Sequence, residues 1–173
     1  MTRDRSDATG TDDRRTTPLR EAAERFLSSR RIAVTGVSRT PGSHGGNVVY
    51  RRLRDTGYQV FAVNPNAATV EDDPAYPDLH AIPGGVDAVV VATRPEHAAA
   101  TVREAADLGI DQVWMHRSVD AGSVDDAAAA EGRARGLTVI DGGCPLMFGA
   151  PSDRTHRAMC RLMTLTGRVP RRV

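Results

Sequence analysis

Ser38, Arg39 and Thr40 stand within a glycine-rich run, residues 36–46, that follows a short apolar segment from Ile32 to Val34. Gly36 and Val37 open this run, and a helical pattern begins where it ends. A glycine-rich turn lets backbone N–H groups approach phosphate oxygens, and a helix N-terminus adds partial positive charge. The two hydroxyls and the guanidinium supply further donors to an anion. The connection is also much longer than a bare strand-to-helix turn requires. Ser38 occupies the position of the second glycine in a GxGxxG fingerprint, so the run departs from the dinucleotide signature.

A second apolar run, Val60 to Val63, stops at Asn64-Pro65-Asn66. NAD-binding domains place an Asp or Glu here for the ribose 2′-hydroxyl. An amide tolerates a phosphate on the ribose where a carboxylate would repel it. That suits coenzyme A, with its ribose 3′-phosphate, better than NAD. NADP also fits a missing acid, but the arginine that usually accompanies it is absent just after this segment, and an Asn-Pro pair also makes a plain turn. A third run, Ala88 to Ala92, ends in Thr93-Arg94-Pro95, where Arg94 can meet a pyrophosphate and Pro95 can form a wall. A fourth, Gln112 to Met115, leads into His116, a donor to ligand or a structural histidine. A fifth, Leu137 to Ile140, reaches Asp141-Gly142-Gly143-Cys144-Pro145. There Cys144 is either a small buried thiol or a nucleophile, and the sequence places no His–Asp pair to activate it.

The elements that position these residues alternate in type. Helical patterns follow over 18–27, over the stretch with Val48, Val49 and Leu53 on one face, over 97–108, over 124–135 and over 154–165. Gly57, Gly109 and Gly136 close three of them. Residues 66–84 read as irregular and proline-rich, with a short helix near Leu79. Alternation of this kind predicts an α/β fold: a Rossmann-like, doubly wound parallel sheet of about five strands with helices on both faces. Ligands of such sheets lie at the carboxyl ends of the strands, where all of these residues fall.

Composition sets the outer limits. The chain has 173 residues and a formal net charge of +1, enough for one domain and with no global pull towards nucleic acid. All 23 basic residues are arginine, so Schiff-base chemistry is excluded and any side-chain cation for an anion is Arg or His. The two cysteines, Cys144 and Cys160, are too few for a disulfide framework and lack metal-ligand spacing. No apolar run is long enough to span a bilayer, and the N-terminus lacks an apolar signal segment, so a cytoplasmic protein is expected. Residues 1–17 are expected to be a flexible tail, 18–167 the domain, and 168–173 a basic terminus. His156 and Cys160 fall in the terminal helical pattern and read as ordinary core or surface positions.

In combination, several strings resemble the small bacterial CoA-binding proteins with a Rossmann fold. These are related to the CoA-binding domain of the succinyl-CoA synthetase alpha subunit and of NDP-forming acyl-CoA synthetases. The strings are Ile32-Ala33-Val34-Thr35-Gly36-Val37-Ser38, Gly57-Tyr58-Gln59-Val60-Phe61-Ala62-Val63-Asn64-Pro65, Ala75-Tyr76-Pro77-Asp78-Leu79, Val86-Asp87-Ala88-Val89-Val90-Val91, Arg94-Pro95, Val113-Trp114 and Cys144. The resemblance implies CoA contacts at Ser38, Arg39 and Thr40, at Asn64 and Pro65, along Ala92-Thr93-Arg94, and at the Cys144 turn. The chain departs from its relatives at Asn66, where a lysine is frequent, at His116 and Ser118, where glutamine and then glycine are usual, and after Cys144. The reading that follows is a stand-alone, non-catalytic binder of coenzyme A or an acyl-CoA, with self-association left open. Two alternatives are the CoA-binding subunit of an NDP-forming acyl-CoA synthetase and an NAD(P)-binding oxidoreductase. The chain has no room for an ATP-grasp domain or for a separate substrate domain.

Overall fold

The computed structural model describes residues 17–40, 45–117 and 122–152, together with Ala158, Leu162, Pro170, Arg172 and Val173. Residues 1–16 of the expected tail lie outside the described residues, as do Ser118, His156, Cys160 and most of the expected helix over 154–165, in which Ala158 and Leu162 are helical.

Seven strands form one sheet: β1 (Arg31–Thr35), β2 (Gln59–Val63), β3 (Thr69–Val70), β4 (Asp73–Tyr76), β5 (Ala88–Val91), β6 (Gln112–Met115) and β7 (Thr138–Asp141). Their order is β3-β4-β2-β1-β5-β6-β7. Every pairing is parallel except β3 with β4. The six parallel strands thus follow the Rossmann order, with the switch point between β1 and β5. The sheet has seven strands rather than about five because residues 66–84 contain a small β3–β4 hairpin. That hairpin carries neither alternating apolar residues nor an Asn-Gly turn, so its pattern is silent.

Among the described residues four continuous α-helices cover the faces: α1 (Leu19–Leu27), α2 (Gly45–Asp55), α3 (Ala98–Asp107) and α4 (Asp126–Ala134). Strand residues alternate between two cores. Ile32, Val34, Val90, Trp114 and Ile140 pack with α1 and α2. Ala33, Val89, Val91, Val113 and Val139 pack with α3 and α4. In α2 the buried face is Val49, Tyr50 and Leu53, whereas Val48 is 43% exposed. The expected grouping of Val48 with the core fails because Val48 lies about 100° round the helix from Val49, on the side away from Tyr50 and Leu53. Tyr50 is buried instead, and its hydroxyl donates to Asp73 at 2.9 Å.

Phe26 meets Trp114 edge to face, with ring centroids 5.3 Å apart at 85°. The indole N–H donates to the Gly142 carbonyl at 3.0 Å, so a buried polar group finds its partner. Arg31 stacks over Phe61 at 4.4 Å and donates to the Gly85 and Pro83 carbonyls, which holds the long connection into β5 against the sheet. Asp125 caps α4 by accepting from the Ala128 amide.

Candidate functional site

The switch point opens into a cleft of about 620 Å³ at the carboxyl ends of β1, β2 and β5. Gly36 lies at its base with φ +73°, a conformation that disfavours a side chain. A Cβ there would also stand 2.5 Å from the Ala92 carbonyl oxygen. The glycine is therefore required twice over, and its close approach to the end of β5 shapes the cleft.

The loop after Gly36 is held from several sides. The Gly36 amide donates to the Val63 carbonyl at 3.2 Å. The Asn64 side-chain amide donates to the Val37 carbonyl at 2.8 Å, while its Oδ1 accepts from the Asn66 amide. Asn47, fully buried in the first turn of α2, accepts from the Ser38 N–H at 2.9 Å and returns a bond to the Ser38 carbonyl at 2.9 Å. Ser38 Oγ accepts from the Thr40 amide at 3.1 Å. The N–H groups of Val37 and Arg39 are left with no acceptor among the described residues. Two unpaired backbone donors on a loop ahead of a helix N-terminus are the kind of groups that can hold an anion. Neither α2 nor α3 carries an acid in its first turn to compete with one.

The facing wall comes from β5 and α3. Among the described residues Thr93 Oγ1 is buried and unpartnered at the cleft, while the Arg94 side chain is 83% exposed and has Glu96 as its ion-pair partner at 4.0 Å. Pro95 begins a short 3₁₀ turn, Pro95–His97, that aims α3. Beyond it Thr101 and Glu104 of α3 face Pro77 and Asp78. Glu104 accepts from the Leu79 and His80 amides at 2.8 and 3.1 Å, which ties this end of the cleft shut. A second hollow of about 380 Å³ lies at the opposite end of the sheet, beside Ser28 and Thr56, just past the C-termini of α1 and α2. Helix C-termini carry partial negative charge and repel phosphates.

Of the residues singled out from sequence, Gly36, Val37, Ser38, Asn64, Pro65, Thr93 and Arg94 line the large cleft together. Arg39 and Thr40 sit on the exposed outer part of the same loop, and Pro95 lies behind Arg94. Cys144 does not line it. Its residue is 6% exposed in the α1–α2 core, and burial pushes its thiol up to about 12, so it is protonated at neutral pH. His116 is buried behind the loop, where a Cβ on Gly45 would fall 2.8 Å from its ring. Asn47 and the α3 residues Thr101 and Glu104 escaped sequence reading. Asn47 has a helical position like any other, and no local signal marks it.

A doubly wound, mostly parallel sheet with a cleft at its switch point defines a Rossmann-like class of domain, in which ligands lie at the carboxyl ends of the strands. The chain belongs to the CoA-binding domain family, whose model matches residues 30–150. It is similar to the uncharacterized protein YneT of Bacillus subtilis, at 29% identity over 120 residues, which is 69% of this chain and 85% of that protein. It is also 35% identical over 81 residues to the ADP-forming acetate–CoA ligase II of Archaeoglobus fulgidus, a match spanning 46% of this chain and only 12% of the ligase. A solved structure of a hypothetical protein from Pyrococcus horikoshii shares the fold with a TM-score of 0.67 and 23% identity, over 92% of this chain and 99% of that one. Among the described residues no helix is long and apolar enough to cross a membrane.

Proposed function

We propose that the protein binds coenzyme A or an acyl-CoA in the switch-point cleft and performs no chemistry on it. The observation that carries this reading is the 36–40 loop. Its Val37 and Arg39 amides lack acceptors among the described residues, and an asparagine rather than an acid stands at the end of β2. The ADP part of the ligand would lie along Ser38, Asn64 and Thr93, with Arg94 free to swing onto the pyrophosphate. The buried, protonated thiol of Cys144 supports a binder over a catalyst. The similarity to an ADP-forming ligase favours a second reading, in which this chain supplies the CoA-binding part to a partner that carries the remaining catalytic groups.

Thermal melts and calorimetric titrations with CoA, acetyl-CoA, dephospho-CoA, NAD and NADP test the proposal. At free CoA a hundredfold above its dissociation constant, the fold should gain about 2.7 kcal/mol. Stabilisation by NAD or NADP with none by CoA would sink it. Turnover of acetyl-CoA with ADP and phosphate, seen only after adding a co-purified partner, would favour the second reading.

A further inference from the structure

The hairpin between β3 and β4 turns through two residues that both have positive φ, Glu71 at +50° and Asp72 at +66°. Turns of this shape favour Asn-Gly, and neither residue here is glycine or asparagine. Contacts with α2 hold the tip in place. The Glu71 side chain is 6% exposed and accepts from Asn47 Nδ2 at 2.7 Å, with Arg51 Nε 3.7 Å from its other oxygen. The Glu71 carbonyl accepts from Arg54 at 2.9 Å, and Arg54 also pairs with Asp73. Asn47, Arg51 and Arg54 are spaced as one face of a helix, so the tip is clamped along α2.

The consequence falls on Asn47. A buried amide can turn over and exchange its oxygen for its nitrogen, unless its neighbours accept only one arrangement. With the Glu71 carboxylate beside Nδ2, the flipped arrangement would set Oδ1 against a carboxylate and a carbonyl. The NH₂ group is therefore fixed towards Glu71 and the Ser38 carbonyl, and Oδ1 towards the Ser38 N–H. That arrangement occupies the Ser38 amide within the protein, while those of Val37 and Arg39 have no acceptor among the described residues.

We propose that Glu71 is a positioning residue for the ligand loop, fixing through Asn47 which backbone amides the loop offers. This inference rests on the CoA reading for its effect on affinity, but its effect on the loop does not depend on any ligand. The test uses the full chain with Glu71→Ala, Glu71→Gln, Asn47→Ala and the Glu71→Ala/Asn47→Ala double variant. Two quantities are read: Ser38 amide exchange without ligand, by NMR, and CoA affinity by calorimetry. Glu71→Ala should speed Ser38 exchange and weaken CoA, each roughly tenfold, the scale of one charged hydrogen bond. Exchange at Val90 in the core should stay as in wild type. Glu71→Gln keeps an acceptor for Nδ2 and should restore both quantities, which a loss of hairpin charge alone would not. In the Asn47→Ala background, Glu71→Ala should add nothing to the loss of CoA affinity. Unchanged Ser38 exchange in Glu71→Ala, or an undiminished effect on affinity in the double variant, overturns the proposal. Failure of wild type to bind CoA overturns the functional reading instead, and the exchange measurement still decides the role of Glu71.

Discussion

Two glycine-rich turns leave the carboxyl edge of this sheet, and they differ in what packs behind them. The turn after β1 is backed by side-chain amides: Asn47 and Asn64 take up the Val37 and Ser38 carbonyls and the Ser38 N–H, and a cleft opens in front. The turn after β7 is backed by aromatic rings. Trp114 takes the Gly142 carbonyl, Phe148 lies 5.6 Å from the indole, and Cys144 is sealed among Leu146 and Met147. Both turns hold a residue that in other settings attacks substrates, a serine in one and a cysteine in the other. A glycine-rich backbone at the sheet edge is thus not enough to make a cleft. Polar backing leaves space in front of the chain, and apolar backing closes it into core.

The most direct way to break the contrast is to hollow out the second turn. Trp114→Ala removes the largest buried side chain and leaves the Gly142 carbonyl without its donor, so stability should fall by about 3–5 kcal/mol. At a temperature where the variant remains folded, CoA affinity should persist and Cys144 should become reactive to thiol reagents in a Cys160→Ser background. Loss of CoA binding in folded Trp114→Ala would mean that the two turns act as one site. A smaller effect on stability is expected from Gly36→Ala. Positive φ costs about 1–2 kcal/mol for a side chain, and relief of the clash with Ala92 must spread β1 from β5. Here affinity should suffer more than stability, as shown by comparing denaturant melts with calorimetry; an intact Kd would remove Gly36 from the cleft.

The smallest effect at neutral pH sharpens the contrast through the thiol. Because burial raises the Cys144 pKa above its ordinary value of 9.0 to about 12, the folded state holds a proton that the unfolded state releases. Its contribution to stability is fully present below about pH 9 and declines as pH rises towards 12. Urea melts of the Cys160→Ser protein, with and without Cys144→Ala, should diverge only across that window. Parallel curves throughout would show Cys144 to be open to solvent.

Much of this was legible in the sequence. The strand ends fell where the apolar runs stopped, since a parallel strand buried on both faces is apolar throughout. Asn64 and Thr93 were visible because each directly follows such a run, and Gly36 and Arg94 because each stands one residue further on. Asn64 was legible as a site but not in its role: its amide is engaged in holding the Val37 carbonyl, a bond that only the folded sheet brings about. Asn47 and Glu71 were not legible, because their meaning lies in a contact between a helix and a hairpin 24 residues further on. The burial of Tyr50 rather than Val48 was not marked either, because the partner of its hydroxyl, Asp73, lies in the same distant hairpin.

The edge-to-face contact of Phe26 with Trp114 joins the first described helix to the sixth strand, and Arg25 reaches Asp111 at 2.8 Å. During synthesis, α1 leaves the ribosome long before either partner exists. Its apolar face of Leu19, Ala22, Ala23 and Phe26 must wait for almost ninety more residues before it can dock. Closing so large a loop is slow, and the central strand β1 also waits, though less long, for β5, whose Ala88 pairs with Ile32. The nascent chain is therefore most open to chaperones and to self-association while β6 is still being made, and it locks its first helix down only once β6 has emerged.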